Sequence, residues 1–154
     1  MLFGGTGGES IRHDMPDLLP ERLEAGTMNV PGAAGLTAGM RHVRQYGDTI
    51  RAREHRQARR CARELEKLGF RVFTGPDQAG TVSFLPEGDC ETAAGKLAQM
   101  GIAVRAGLHC APLAHESAGT LDTGTVRISF GPDACDAQTD ALLHAAARLS
   151  PETR

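Results

Sequence analysis

At 154 residues, with 40% apolar and 23% charged residues, the chain falls in the range for one soluble globular domain and is long enough to bury a real core. A formal net charge of -2 gives no electrostatic case for nucleic acid or a membrane surface as the main partner. The four cysteines, Cys61, Cys90, Cys110 and Cys135, form no C-x-x-C pair, which argues against a zinc ribbon or a dithiol redox motif, and no metal site is expected.

The start Met1-Leu2-Phe3-Gly4-Gly5 has no charged region followed by an apolar one. No apolar run approaches the ~20 residues of a membrane span, so cytoplasmic localisation is expected. Residues 1–32 are rich in glycine and proline with little periodicity and read as loops.

From 33 to 68 the pattern predicts a long linking helix or helix pair. Leu36, Met40, Val43, Ile50, Ala58, Cys61, Leu65 and Leu68 recur at helical spacings, and Gly69 ends the run. In the helix-pair reading, Tyr46-Gly47-Asp48 is the break and Asp48 the N-cap of the second helix. The dense run Arg51 to Arg60 reads as the solvated face of an amphipathic helix, interleaved with Glu54, because no aromatic stacking platform accompanies it.

Residues 69–154 alternate between strands and helices. Strands are predicted at Phe70–Phe73 and Thr81–Leu85, and Asp89 caps a helix that runs to Met100 and stops at Gly101. Ile102–Arg105 and Thr125–Phe130 are the remaining strands, and Asp136–Leu149 is a final amphipathic helix carrying Leu142, Leu143, Ala146 and Leu149. This order predicts a small α+β domain, a mixed or antiparallel sheet with helices on one face.

The stretch Arg105-Ala106-Gly107-Leu108-His109-Cys110-Ala111-Pro112 sets a cysteine on a glycine-loosened loop directly after an apolar run. A nucleophilic thiol needs partial exposure and nearby positive charge, which Arg105 and His109 are placed to supply. The alternative is an inert loop cysteine, with Arg105 paired to a carboxylate elsewhere and His109 only packing. His115 reads as a loop residue, since no second metal ligand has convincing spacing.

Four strings occur in one order: Leu2-Phe3-Gly4-Gly5-Thr6-Gly7-Gly8, Glu24-Ala25-Gly26-Thr27-Met28-Asn29-Val30-Pro31-Gly32, the Arg105–Pro112 loop, and Gly124-Thr125-Val126-Arg127-Ile128-Ser129-Phe130-Gly131. Together they resemble the C-terminal part of the class V aminotransferase-like cysteine desulfurases, which depend on pyridoxal 5'-phosphate. The resemblance covers nearly the whole chain. It implies the small C-terminal domain of a fold-type I enzyme for 69–154, with 1–32 as the end of the large-domain region.

The same resemblance implies that Cys110 is the nucleophile that takes sulfur from L-cysteine as an enzyme persulfide, leaving L-alanine. It makes Arg127 the anchor of the substrate carboxylate, with a structural salt bridge as the alternative, and Thr6 a contact to the cofactor phosphate across a homodimer interface. His109 and Arg105 become supports of the thiolate. Some desulfurases carry paired histidines before the cysteine; Leu108 stands in the first of those positions.

The family's cofactor forms a Schiff base with a lysine upstream of the glycine-rich opening. The only lysines here are Lys67 and Lys96, both in helix-like runs that read as solvated faces. The chain therefore resembles a desulfurase portion that needs a missing N-terminal half or upstream chain, with a sulfur-acceptor protein as a further partner. A class V aminotransferase, lyase or epimerase portion, and a non-catalytic remnant or interaction module, are the competing readings.

Overall fold

The computed structural model describes residues 4, 5, 7, 8, 11 and 13–150. The chain divides into two compact units, Met1–Gln45 and Tyr46–Arg154. In the first, a 3-10 turn at Glu21–Leu23 precedes the start of helix α1, which spans Val30–Lys67. None of the described residues of this unit is buried, and Leu36, Met40 and Val43 are 66%, 65% and 61% exposed, so this part of the apolar pattern contributes nothing to a core.

Of the two alternatives, a single long helix or a pair broken at Tyr46-Gly47-Asp48, the structure has the single helix, α1 running on through Gly47. One glycine inside a helix costs only about 1 kcal/mol, less than the loss of several main-chain hydrogen bonds. Asp48 does not cap a second helix; its carboxylate pairs with Arg51 one turn on, at 2.6 Å.

The second unit carries a four-stranded antiparallel sheet in the order β1-β2-β4-β3, formed by β1 (Arg71–Phe73), β2 (Thr81–Leu85), β3 (Arg105–Gly107) and β4 (Thr125–Ser129). Helix α2 covers Cys90–Gln99, α3 Pro112–Ala118 and α4 Asp136–Ala147. The architecture is the α+β arrangement expected.

Period-two alternation sorts the sheet faces. Val82 stands opposite Ile128 and Phe84 opposite Val126, and all four are buried. Against them pack Ala58, Cys61, Ala62 and Leu65 of α1, Ala93 and Leu97 of α2, and Leu142, Ala145 and Ala146 of α4. Leu65, Leu97 and Phe84 have no exposed surface, and each side chain of this size contributes about 1.5–3 kcal/mol by leaving water. Within that core, the amide of Gln57 donates to Asp136 (2.9 Å) and accepts from the Thr139 hydroxyl (2.7 Å), fixing α1 against α4 without an unpaired buried amide.

The Arg51–Arg60 run is tied down rather than free. Arg53 and Arg59 donate to the carbonyls of Pro132 (2.8 Å) and Pro76 (3.2 Å), and Arg60 pairs with Asp140 and with Asp136 (3.5 Å).

Asp89 caps α2 as expected, accepting from the Thr92 main-chain nitrogen at 2.7 Å. Two local expectations change. The third strand lies at Arg105–Gly107 rather than Ile102–Arg105, because the ladder is set by its partner: Arg105, Ala106 and Gly107 pair with Arg127, Val126 and Thr125, while Ile102 and Val104 pack on the core outside the ladder. His115 lies not in a loop but in α3, which has Pro112 in its first turn and ends at Gly119 in the left-handed conformation.

Candidate active site

The sheet face opposite the core carries the chemistry. Ser83, Arg127 and Arg105 face one another in register across β2, β4 and β3, so two guanidinium-bearing residues stand directly opposite on neighbouring strands. Like charges placed so repel and are stabilised by an anion between them. Arg127 is half-buried, its Nε has no hydrogen-bond acceptor, and no carboxylate pairs with it or with Arg105 among the described residues. A structural salt bridge for either arginine finds no partner here.

The chain leaves β3 through Gly107 at φ +101°, and then two consecutive non-glycine residues, His109 (φ 52°) and Cys110 (φ 61°), adopt the left-handed conformation. For residues with a β-carbon this region is sterically unfavourable and persists only where surroundings impose it. The result is an exposed Cys110 whose Sγ lies 3.9 Å from Arg105 Nη2, a donor from the strand just before the loop.

Opposite Gly107, Gly124 enters β4 at φ +64°. A β-carbon on Gly124 would lie 2.9 Å from Gly107 Cα and 3.0 Å from the sulfur of Cys90, so only glycine lets the strands close here.

His109 sits behind the thiol, with Nε2 3.4 Å from Thr125 Oγ1 and its ring centroid 5.9 Å from that of His115. Burial first, then the Arg127 charge, push its imidazole below the usual value of 6.5, while a backbone hydrogen bond at Thr125 acts the other way. Burial and the Arg127 charge both disfavour the charged form of His109, and the cation within 3.9 Å of the Cys110 sulfur is Arg105. We expect an NMR titration of His109 to give a midpoint below 6.5, moving upward in Arg127→Ala; a midpoint unaffected by that change would remove the coupling. Between the folded midpoint and 6.5 the folded chain binds fewer protons at this ring than the unfolded one, so this contribution to stability is lost as the pH falls through that window.

The other cysteines sit in different surroundings. Cys61 is fully buried in α1 and its thiol is pushed up to about 12 by burial. Cys90 is the buried first residue of α2, and Cys135 is the exposed N-cap of α4. Thr6 lies outside the described residues.

Neither lysine offers a seat for an aldehyde cofactor. Lys67 is exposed and paired with Glu64 at 2.7 Å, and Lys96 is exposed on α2. The side chain that sequence reasoning passed over is His115, whose buried ring touches His109. Pro112 and Gly119 bracket its helix in the sequence, but seven residues are too few to show a helical period.

Among the described residues no helix is long and apolar enough to cross a membrane. Comparison with known proteins gives a consistent set of relatives. A probable cysteine desulfurase of Xylella fastidiosa is 39% identical over 136 residues, covering 80% of this chain and 32% of the relative. The cysteine desulfurase CsdA of Escherichia coli is 36% identical over 141 residues, covering 84% and 32%.

Among solved structures, the apo cysteine desulfurase of Thermococcus onnurineus superposes with a TM-score of 0.75 at 33% identity, covering 86% of this chain and 34% of the other. The S-sulfonic acid form of the Escherichia coli CsdA protein gives 0.73 at 34% identity, covering 84% and 33%. The chain thus spans about a third of the length of the relatives it matches. The family model for class-V aminotransferases matches residues 2–142, taking in the Cys110 loop, the paired arginines and the sheet that holds them, and the chain belongs to that family.

Proposed function

We propose that this chain is the sulfur-accepting portion of a cysteine desulfurase, with Cys110 as the acceptor thiol and Arg127 as the carboxylate anchor. The observation that carries the reading is the exposed Cys110 on its left-handed loop, 3.9 Å from the guanidinium of Arg105, which stands opposite Arg127 in the ladder.

Each part has a defined task. The guanidinium of Arg127 binds the α-carboxylate of L-cysteine through a planar, charge-assisted pair of hydrogen bonds. Arg105 faces the negative charge of the Cys110 thiolate before it attacks; as the sulfur–sulfur bond forms, the substrate carbon–sulfur bond breaks, its electron pair goes to the carbon, and a proton there completes L-alanine. The exposed loop lets the sulfur atom leave the site on Cys110, for a sulfur-acceptor protein. His109, whose charged form is disfavoured by burial and by the Arg127 charge, orients the loop.

Pyridoxal 5'-phosphate, the cofactor this family membership implies, serves in such reactions as the electron sink for bond cleavage next to the amino group. Because Lys67 and Lys96 do not fit its aldehyde, the lysine is assigned to an upstream polypeptide, and no step is assigned to the cofactor on this chain alone. The two opposed arginines have no role in a purely structural remnant, since they raise the energy of the empty sheet.

Mixing the chain with an upstream polypeptide that carries the cofactor lysine tests the proposal. With an added dithiol to reduce the Cys110 persulfide and release its outer sulfur, sulfide and alanine are expected from L-cysteine in the mixture and in neither part alone. Transamination or elimination without sulfide would shift the assignment to another class-V activity, and a mixture that binds cofactor but turns nothing over would leave an interaction module.

A further inference from the structure

We propose that His115 is a positioning residue for Cys110, acting through the His109 ring. The inference rests on the reading of Cys110 as the working thiol and adds the element that holds it in place.

Two successive left-handed residues cannot be explained by local preference, since each is disfavoured for a side chain with a β-carbon. The loop's own main chain supplies one restraint, the Ala111 amide donating to the Leu108 carbonyl at 2.9 Å. Besides the Arg105 contact to Cys110, the side-chain restraint on the loop falls on His109. Its Nε2 lies 3.4 Å from Thr125 Oγ1 on one side, and the His115 ring stands on the other, 5.9 Å between centroids and tilted by 46°.

His115 is well placed to be the fixed member of that pair. It is only 7% exposed, and its Nδ1 lies 2.8 Å from the hydroxyl of Thr120, itself 1% exposed. The Thr120 amide donates back to the His115 carbonyl at 2.8 Å, and the Gly124 amide donates to the Thr120 carbonyl at 2.8 Å. The ring is thereby fastened to the segment that enters β4, the strand carrying Thr125 and Arg127. An aliphatic residue would fill the same volume but would lack both the flat ring against His109 and the bond to Thr120.

The test is iodoacetamide alkylation of the full chain at pH 7, with Cys110 and the exposed Cys135 quantified separately by peptide mass spectrometry. His115→Leu and Thr120→Val are expected to slow Cys110 alkylation about three- to tenfold, the effect of losing a ring pair, while leaving Cys135 unchanged. Arg105→Gln should slow Cys110 as well, and adding His115→Leu to it should have little further effect, because both act through the same sulfur–guanidinium contact.

An unchanged Cys110 rate, effects that multiply in the double variant, or a parallel change at Cys135 from general loosening would each refute the role. If His115→Leu does not fold, Thr120→Val against Thr120→Ser decides the same question, since serine keeps the hydroxyl and should restore the rate. Alkylation needs neither cofactor nor sulfur transfer, so failure of the reconstitution experiment and failure of this one are separate results.

Discussion

Cys110→Ser is expected to abolish sulfide release and persulfide formation in the reconstituted enzyme while leaving L-cysteine binding in place. A serine hydroxyl keeps the size of the side chain and its place on the left-handed loop, but it does not attack a sulfur atom as a thiolate does. Binding should survive because the proposed carboxylate anchor, Arg127, lies on β4 and not on the loop. The measurement is persulfide labelling with peptide mapping, run beside sulfide release.

The remaining cysteines serve as controls in that experiment. Cys61 is buried with its thiol pushed up to about 12, and Cys90 is 4% exposed, so neither is available as an acceptor. Cys135 is exposed, but it serves as the N-cap of α4 with Gln138 completing a capping box. Replacing it with alanine keeps the bond from its main-chain nitrogen to the Gln138 side chain at 3.2 Å, so little change in stability and none in turnover is expected. Sulfide release at the parental rate in Cys110→Ser, or persulfide mapped to Cys135, would remove Cys110 from the mechanism.

Arg127→Ala should lower kcat/KM for L-cysteine by about 2–4 kcal/mol of transition-state binding, roughly thirty- to nearly thousandfold, the loss of a charge-assisted bidentate pair. The fold should be unharmed. Arg127 stands opposite Arg105 in the ladder and has no carboxylate partner among the described residues, so removing one of two like charges relieves repulsion rather than breaking a bond. The discriminating result is therefore a pair of measurements: a steep fall in kcat/KM with an unchanged or slightly raised unfolding midpoint. A loss of stability that parallels the loss of activity would make Arg127 a structural residue.

Much of this protein is legible without coordinates. The boundaries of β2, the Asp89 cap of α2 and the place of β4 follow from alternation, capping chemistry and glycine punctuation, all of which act within a few residues of chain. The Cys110 loop stands out for the same reason, since Gly107, His109, Cys110 and Pro112 are neighbours in sequence. Alternation also places Arg127 on the face away from Val126 and Ile128, before any partner strand is known.

The tertiary structure decided what depends on distant segments. The register of β3 was set by β4, which moved the strand past Val104 and brought Arg105 opposite Arg127 across 22 positions of chain. The same pairing set the half-buried His109 against Thr125 and within the field of Arg127, which disfavours the charged form of its ring. The continuity of α1 through Gly47 and the burial of His115 in a helix too short to show a period are results of the same kind. Local preference sets what a segment tends to form at a cost of about 1 kcal/mol per residue, and long-range pairing and burial, worth several times more, choose among those tendencies.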